Sequence, residues 1–277
     1  MRSKGKRTIF STLIFLACVL VAVITGFPFI FLLINSFKSM PEYLLNIWRL
    51  PSEVFLGNFE KVLTPSFLKY FLNSVIVSVT SVAIIVAVSS MISFAFAKLK
   101  FKGKNILYFL IIAGMMIPVH TTLIPTFTLI SQMKLNDTLT GLIGPYVSYN
   151  IPISVFILTQ FFKEIPRDIE EAAIIDGCGT LGIFGRIILP LSGPALSTIV
   201  VYTFLNIWNE FINANVLITS AAKKTLPLGI REFYGAQTIN IPAILTAILV
   251  GSLPVIIVYF CAQEKVVNGL TQGAVKG

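Results

Sequence analysis

EIPRDIEEAAIIDGCGTLGIFGRIILPLSGP, residues Glu164–Pro194, is the one long segment between the hydrophobic runs of this chain that carries a pattern of its own. Pro166 and Asp168 predict a helix start, with proline near the first turn and a carboxylate able to accept the free amide protons there. Ile169, Ala172, Ala173 and Asp176 fall at helical spacing, with Glu170 and Glu171 off that row, and Gly177 and Gly179 close the piece. The expected layout is one short helix, a glycine break, a second short apolar piece and then Pro190. A helix of about two turns is marginal alone in water. Ile174, Ile175 and Phe184 therefore need something to bury against, either the chain's own bundle or a partner.

What surrounds this segment is apolar. Hydrophobic residues make up 56% of the 277 and charged residues only 12%, with a mean hydropathy of +0.88, which excludes an ordinary soluble domain. The expected fold class is all-α, a polytopic membrane protein. A bilayer crossing needs about 20 apolar residues. Runs at 8–34, 70–97, 106–130, 139–162, 191–219 and 241–263 are long enough, predicting six spans and no soluble domain between them. The first run is too long for a signal-peptide core and is kept as a span. Residues 35–69, with three prolines and both signs of charge, read as an extramembranous loop with short helices.

The net charge of +9 does not point to nucleic acid, because the basic residues gather at the ends of the apolar runs. Cytoplasmic segments retain positive charge. With the amino terminus inside, the inner segments hold thirteen of the 21 Lys and Arg and the outer segments eight. This assignment makes both termini and the Glu164–Pro190 loop cytoplasmic.

Several chemistries are excluded by what the sequence lacks. Cys18, Cys178 and Cys261 lie far apart, with neither a disulfide framework nor zinc-ligand spacing. The single histidine, His120, removes most metal and acid–base chemistry and reads as a satisfied polar residue, with contact to substrate as the alternative. No G-x-x-x-x-G-K-[ST] loop is present, since the Gly5–Lys6 and Gly103–Lys104 pairs are followed by Arg7 and Asn105. Any ATP hydrolysis would have to reside in another polypeptide. Pro118 and Pro125 interrupt the third run and free backbone carbonyls at membrane depth, which suits either a bent helix lining a path or a packing kink.

In the central loop, Glu171, Ala172 and Ala173, then Gly177 after three residues, then Ile187, Leu189 and Pro190 after nine more, resemble the cytoplasmic signature of ABC importer permeases with every spacing kept. Asn58-Phe59, Tyr70 to Ser74, the FAFAKLKFKG stretch ending at Gly103, Leu135 to Thr138 and Trp208-Asn209-Glu210-Phe211 resemble the carbohydrate, maltose-type branch. The tail from Asn268 to Gly277 resembles the ending of the shorter, second permease subunit. The resemblance implies a coupling helix that docks on an ATPase through Glu171, Ala172, Ala173, Asp176, Gly177, Leu189 and Pro190. It also implies a tail contact with that ATPase through Gly269, Leu270, Thr271, Gly273 and Lys276. The implied partners are a second homologous permease, dimeric ATPase subunits that bind ATP and Mg, an extracellular or periplasmic solute-binding protein and a sugar, in a bacterial cell membrane. No cofactor is expected on this chain. Cys178-Gly179 and Glu264-Lys265 depart from the family's usual residues, and Gly179 is expected to loosen the turn after the helix.

The sugar-path expectation rests on Asn206, Asn209, Glu210 and Asn213, which lie at i, i+3, i+4 and i+7 of the fifth run and predict one polar helix face with Trp208 beside it. Lipid exposure of four such groups would cost several kcal/mol in sum. The stripe therefore faces protein or a watery path. Two function classes stay open: a transport subunit without an enzymatic centre, for a sugar or for a solute such as a polyol phosphate, and a self-contained secondary transporter or membrane enzyme. The second needs intramembrane ionisable pairs, and Glu210 is the one plausible charge inside a run.

Overall fold

The computed structural model describes residues 2–234 and 239–274, with side chains from Phe10 to Tyr234 and from Ile239 to Gln263. Every regular element among the described residues is helical. In order these are α1 (Arg2–Ser36), α2 (Met40–Leu45), α3 (Gly57–Val62), α4 (Pro65–Lys98), α5 (Lys104–Ala113), α6 (Leu123–Gln132) and α7 (Leu139–Glu164). They are followed by α8 (Arg167–Ile175), α9 (Thr180–Ile183), α10 (Leu189–Leu191), α11 (Gly193–Trp208), α12 (Ile212–Leu217), α13 (Leu226–Glu232) and α14 (Ile241–Ala274). Four stretches are long and apolar enough to cross a membrane: Phe10–Ser36, Pro65–Lys98, Leu139–Glu164 and Ile241–Gln263. Two bent pairs raise the number to six if each pair is one span.

The chain divides into two compact units, Met1–Leu68 with Ile230–Leu253 and Lys69–Gly229 with Pro254–Gly277. In the first, the carbonyls that α1 leaves open at its end are taken up by side chains. Asn58 Nδ2 donates to the Ser36 and Lys38 carbonyls at 2.9 and 2.7 Å, and Thr246 Oγ1 reaches Ser36 at 3.3 Å. The buried Lys38 ammonium donates to the carbonyls of Asn46 and Ile47. Phe59 packs on Phe37 at 5.1 Å between centroids.

The second unit is built around α4 and α7. Proline at the first position of α4 costs no hydrogen bond. Ser74, Ser78, Ser81, Ser89 and Ser93 are all buried, at spacings that keep them near one face of α4. Small residues let neighbouring backbones approach closely, and Ser93 Oγ reaches the Val155 carbonyl of α7 at 3.2 Å. Thr138 caps α7 by accepting the Gly141 amide proton at 3.1 Å. A Cβ on Gly141 would lie 2.3 Å from the Leu135 carbonyl oxygen, so that turn admits glycine alone. α7 packs against α5 and α11.

Two expected spans are not continuous helices. The run at 106–130 is broken into α5 and α6, joined through two 3-10 turns and bent by 94°. The residue before a proline is pushed out of the helical region, and Ile117, before Pro118, is extended at φ −83°, ψ 114°. Pro125 breaks nothing, since it sits in the first turn of α6, where no amide proton is required. The run at 191–219 holds α11, which stops at Trp208, and the separate short α12. A bend of 75° at Ser192 divides α11 from the preceding helical segment.

A cluster of hydrogen bonds fastens the segment between α12 and α13. Asp137, at φ +54°, accepts from the Thr219 and Ser220 amides at 3.0 and 2.9 Å and from the Ser220 hydroxyl. Lys223 Nζ donates to the Asp137 carbonyl at 2.5 Å. The Ser220 bonds first, then the Thr219 amide and Lys223, hold the Asp137 carboxyl well below the usual carboxylate range. From the start of α4, Asn73 Nδ2 donates to the carbonyls of Ala222 and Lys224, and Ser74 Oγ accepts the Leu226 amide proton.

The α14 backbone is helical through Gly269, Leu270, Thr271 and Gly273 to Ala274. A helix propagated from Ile241 needs no fresh nucleus. Lys276 and the side chains of 264–277 lie outside the described residues.

Candidate functional site

Two places bring predicted site residues together. The first is the Glu164–Pro190 segment. α8 starts at Arg167 with Pro166 as its cap residue, and no side chain caps it. The expectation that Asp168 accepts the free amide protons is thus corrected: its carboxylate stands in the first turn, where it meets only the positive end of the helix dipole. The helix ends as predicted. Gly177 has φ +81°, its amide proton bonds the Ile174 carbonyl at 3.0 Å and that of Cys178 bonds the Ala173 carbonyl at 2.8 Å, a Schellman closure. Nothing lies within 4 Å of a Cβ built at Gly177, so backbone conformation, not crowding by the chain itself, demands the glycine. Gly179 sits extended at φ −75° as the cap of α9.

The faces of α8 are arranged differently from the expected row. Ala173 is buried, while Ala172, Ile169 and Asp176 are exposed, so the two alanines look opposite ways. Glu170 turns inward and pairs with Lys98, whose Nζ also donates to the Ile165 carbonyl at 2.8 Å. Of the three apolar residues needing cover, Phe184 packs on Phe94 of α4 at 5.1 Å. Ile174 and Ile175 stay outside, Ile175 at 85% exposure, joined by Leu181 at 80%. Glu171 and Pro190 are exposed and Leu189 half-buried. Between them, Phe184–Ile188 form a turn of π-helix.

The second place is a cavity of about 360 Å³. Its polar wall is Tyr146, Tyr149 and Asn150 of α7 with Asn206, Glu210 and Asn213, and Met115, Val119, Ile153, Tyr202 and Ile207 complete it. Glu210 is its centre. Oε2 accepts from Tyr146 Oη at 2.5 Å and the Ala214 amide at 3.2 Å, and Oε1 from the Asn213 amide at 2.7 Å and Asn213 Nδ2 at 3.0 Å. The carboxylate thereby caps α12, filling its orphan amide protons at the point where the fifth run is broken. Asn213 is 1% exposed, and its Oδ1 has no partner among the described residues. Asn206 Nδ2 approaches Asn150 Oδ1 at 3.4 Å. Tyr149 Oη bonds Thr122 and Thr126 at 3.1 and 3.0 Å, which pins the broken third run to α7.

The single helix face predicted for Asn206, Asn209, Glu210 and Asn213 does not exist, because helical periodicity ends at Trp208. Three of the four still meet in the cavity. Asn209 does not: it closes α11, exposed, with Nδ2 on the Leu205 carbonyl at 2.9 Å. Trp208 does not line the cavity either, being buried in a stack on Phe204 at 5.4 Å and edge-on to Phe71 at 5.6 Å. His120 is exposed on a 3-10 turn outside the cavity. Sequence reasoning missed Tyr146, Tyr149 and Asn150, whose signal was three polar-tipped side chains at i, i+3 and i+4 inside the apolar fourth run.

Apolar helices long enough to cross a membrane, a polar cavity within the second unit and an exposed amphipathic helix fit a multi-pass membrane protein. The solved structures agree on the fold. A bacterial ABC transporter involved in the import of the acidic polysaccharide alginate contains a chain that superposes with a TM-score of 0.81 at 23% identity, covering 95% of this chain and 98% of that one. Residues 89–271 match the model of the binding-protein-dependent transport system inner membrane component, and the chain belongs to that family. Relatives match over nearly their whole length. The sulfoquinovosyl glycerol transport system permease protein SmoH of Agrobacterium fabrum is 35% identical, covering 99% of this chain and 98% of its own. The arabinooligosaccharides transport system permease protein AraQ of Halalkalibacterium halodurans is 34% identical (97% and 98%). The trehalose/maltose transport system permease protein MalG of Thermococcus litoralis is 32% identical (96% of each).

Proposed function

We propose that this chain is one of two unlike permease subunits of an ATP-driven importer for a sugar or oligosaccharide. It works with dimeric ATPase subunits, which hold ATP and Mg, and with an external solute-binding protein. The observation that carries the reading is α8, fixed to the chain's own bundle on one face and leaving Ile174, Ile175 and the neighbouring Leu181 uncovered on the other. Exposed apolar groups ringed by Glu171 and Asp176 fit a cleft on a soluble subunit. Glu171, Ala172, Asp176 and Gly177 present the contact, Ala173 anchors it, and Leu189 and Pro190 form the return toward α11. The Lys98–Glu170 contact and the mutual proximity of Lys104, Lys163 and Arg167 gather positive charge at one end of the second unit, which supports a cytoplasmic placement of that end; both termini are assigned to the same side from the charge count alone. The tail residues Gly269, Leu270, Thr271, Gly273 and Lys276 are assigned to an ATPase contact from the sequence resemblance alone.

The solute is a carbohydrate because the relatives are named for the transport of sugars and glycosides. The cavity suits it. The unpartnered Asn213 Oδ1 accepts a hydroxyl proton, and the tyrosines offer ring faces to sugar C–H groups.

Gly177→Val and Ala172→Asp test the docking. Both variants should insert normally yet lose the co-purifying ATPase and sugar uptake together. Normal ATPase retention and uptake in both would reject the assignment.

A further inference from the structure

Lys98 is the last residue of α4, and its side chain is 4% exposed. It holds three elements: its own helix, the turn after α7 through the Ile165 carbonyl, and α8 through Glu170. One turn earlier Phe94 packs on Phe184, so the same end of α4 touches both helical arms of the docking segment. At the other end Asn73 and Ser74 hold the carbonyls of Ala222 and Lys224 and the amide of Leu226. From Asn73 to Lys98 α4 is unbroken, a rod of about 37 Å at 1.5 Å per residue. Packed interiors shift between discrete arrangements more readily than they stretch, so a rod jointed at both ends moves both attachments.

We propose that Lys98, through its pair with Glu170, is a positioning residue that locks α8 to α4, and that α4 carries displacement of α8 to the 222–226 segment fastened by Asn73 and Ser74. The proposal rests on α8 being the ATPase-docking helix. It separates the roles of two adjacent glutamates, with Glu171 facing the partner and Glu170 the rod. An ATPase closing beneath α8 thereby changes the segment held at the opposite end of α4.

The test uses the assembled transporter in lipid nanodiscs. Lys98→Met leaves the half-buried Glu170 unpaired, whereas Lys98→Met/Glu170→Leu removes both charges. Both variants should keep the ATPase bound. Both should move about tenfold less sugar per ATP hydrolysed, within the range usual for coupling between sites. In the wild type, a non-hydrolysable ATP analogue should change amide hydrogen exchange across 218–226, and in the variants that response should vanish. A double variant that regains normal sugar per ATP, or an intact exchange response in either variant, overturns the proposal and leaves a merely structural pair. Should Lys98→Met fail to fold, the double variant decides alone. Ile175→Asp is the control: if it retains the ATPase, the docking reading itself has failed, and the Lys98 proposal falls with it.

Discussion

Glu210 shows what a charged residue needs in order to sit beside an apolar run. Its two oxygens take four donors, so each lone-pair direction is used inside the chain and little is left for a ligand. Asn213 Oδ1 is the acceptor still available. Glu210→Gln replaces one oxygen by a donor that faces donors, at a cost of about 2–3 kcal/mol. Its uptake should fall in maximal rate, with apparent affinity nearly kept. Asn209→Ala should alter neither, because that amide serves the end of α11. An affinity change in Asn209→Ala, measured as uptake against sugar concentration at matched abundance, would contradict this geometry. These residues also mark where the sequence was readable. The Gly177 turn was legible because a helix stop and a glycine are adjacent in the chain and need positive φ. The Asn206–Asn213 stripe was misread because a carboxylate at 210 that caps a new helix looks, in one dimension, like the next polar residue on the old one.

At the level of elements, the apolar runs were legible from length and the break of the third run from Pro118, whereas the break of the fifth run after Trp208 was not. Pro118 and Pro125 give the same signal in sequence, and only their position relative to a helix start decides which one bends the chain. The serine face of α4 was likewise hidden, since serines read as neutral in an apolar run until a neighbouring helix lies against them. Ser89 is fully buried. Ser89→Leu should therefore overpack the α4 face and destabilise the protein by about 1–3 kcal/mol, visible as a lower melting temperature in detergent. The Asp137 junction gives a pH prediction. Its folded carboxyl titrates below the unfolded value of about 3.9. The stabilisation is thus complete above that value, declines as pH falls below it and is gone once pH passes the folded value. Asp137→Asn should lower the melting temperature at pH 7 and lower it less below about pH 4. A constant difference across that interval would show that the carboxylate charge plays no part.

At the scale of the whole molecule, the described residues form four uninterrupted apolar helices and two bent pairs, and the shortness of one piece has a consequence for the bilayer itself. α11 holds 16 residues, about 24 Å of helix, against a hydrocarbon core of about 30 Å. The deficit is hydrophobic mismatch, and lipid next to a short span thins to meet it. Membrane thickness becomes a load on the same elements that wall the cavity. Reconstituted with its partners in phosphatidylcholines of increasing acyl length, the transporter should run fastest in chains somewhat shorter than those that best match α4 and α7. A straight substitute for the broken run would shift that optimum toward thicker bilayers, so acyl length acts on this permease as a mechanical variable, independent of sugar and nucleotide concentration.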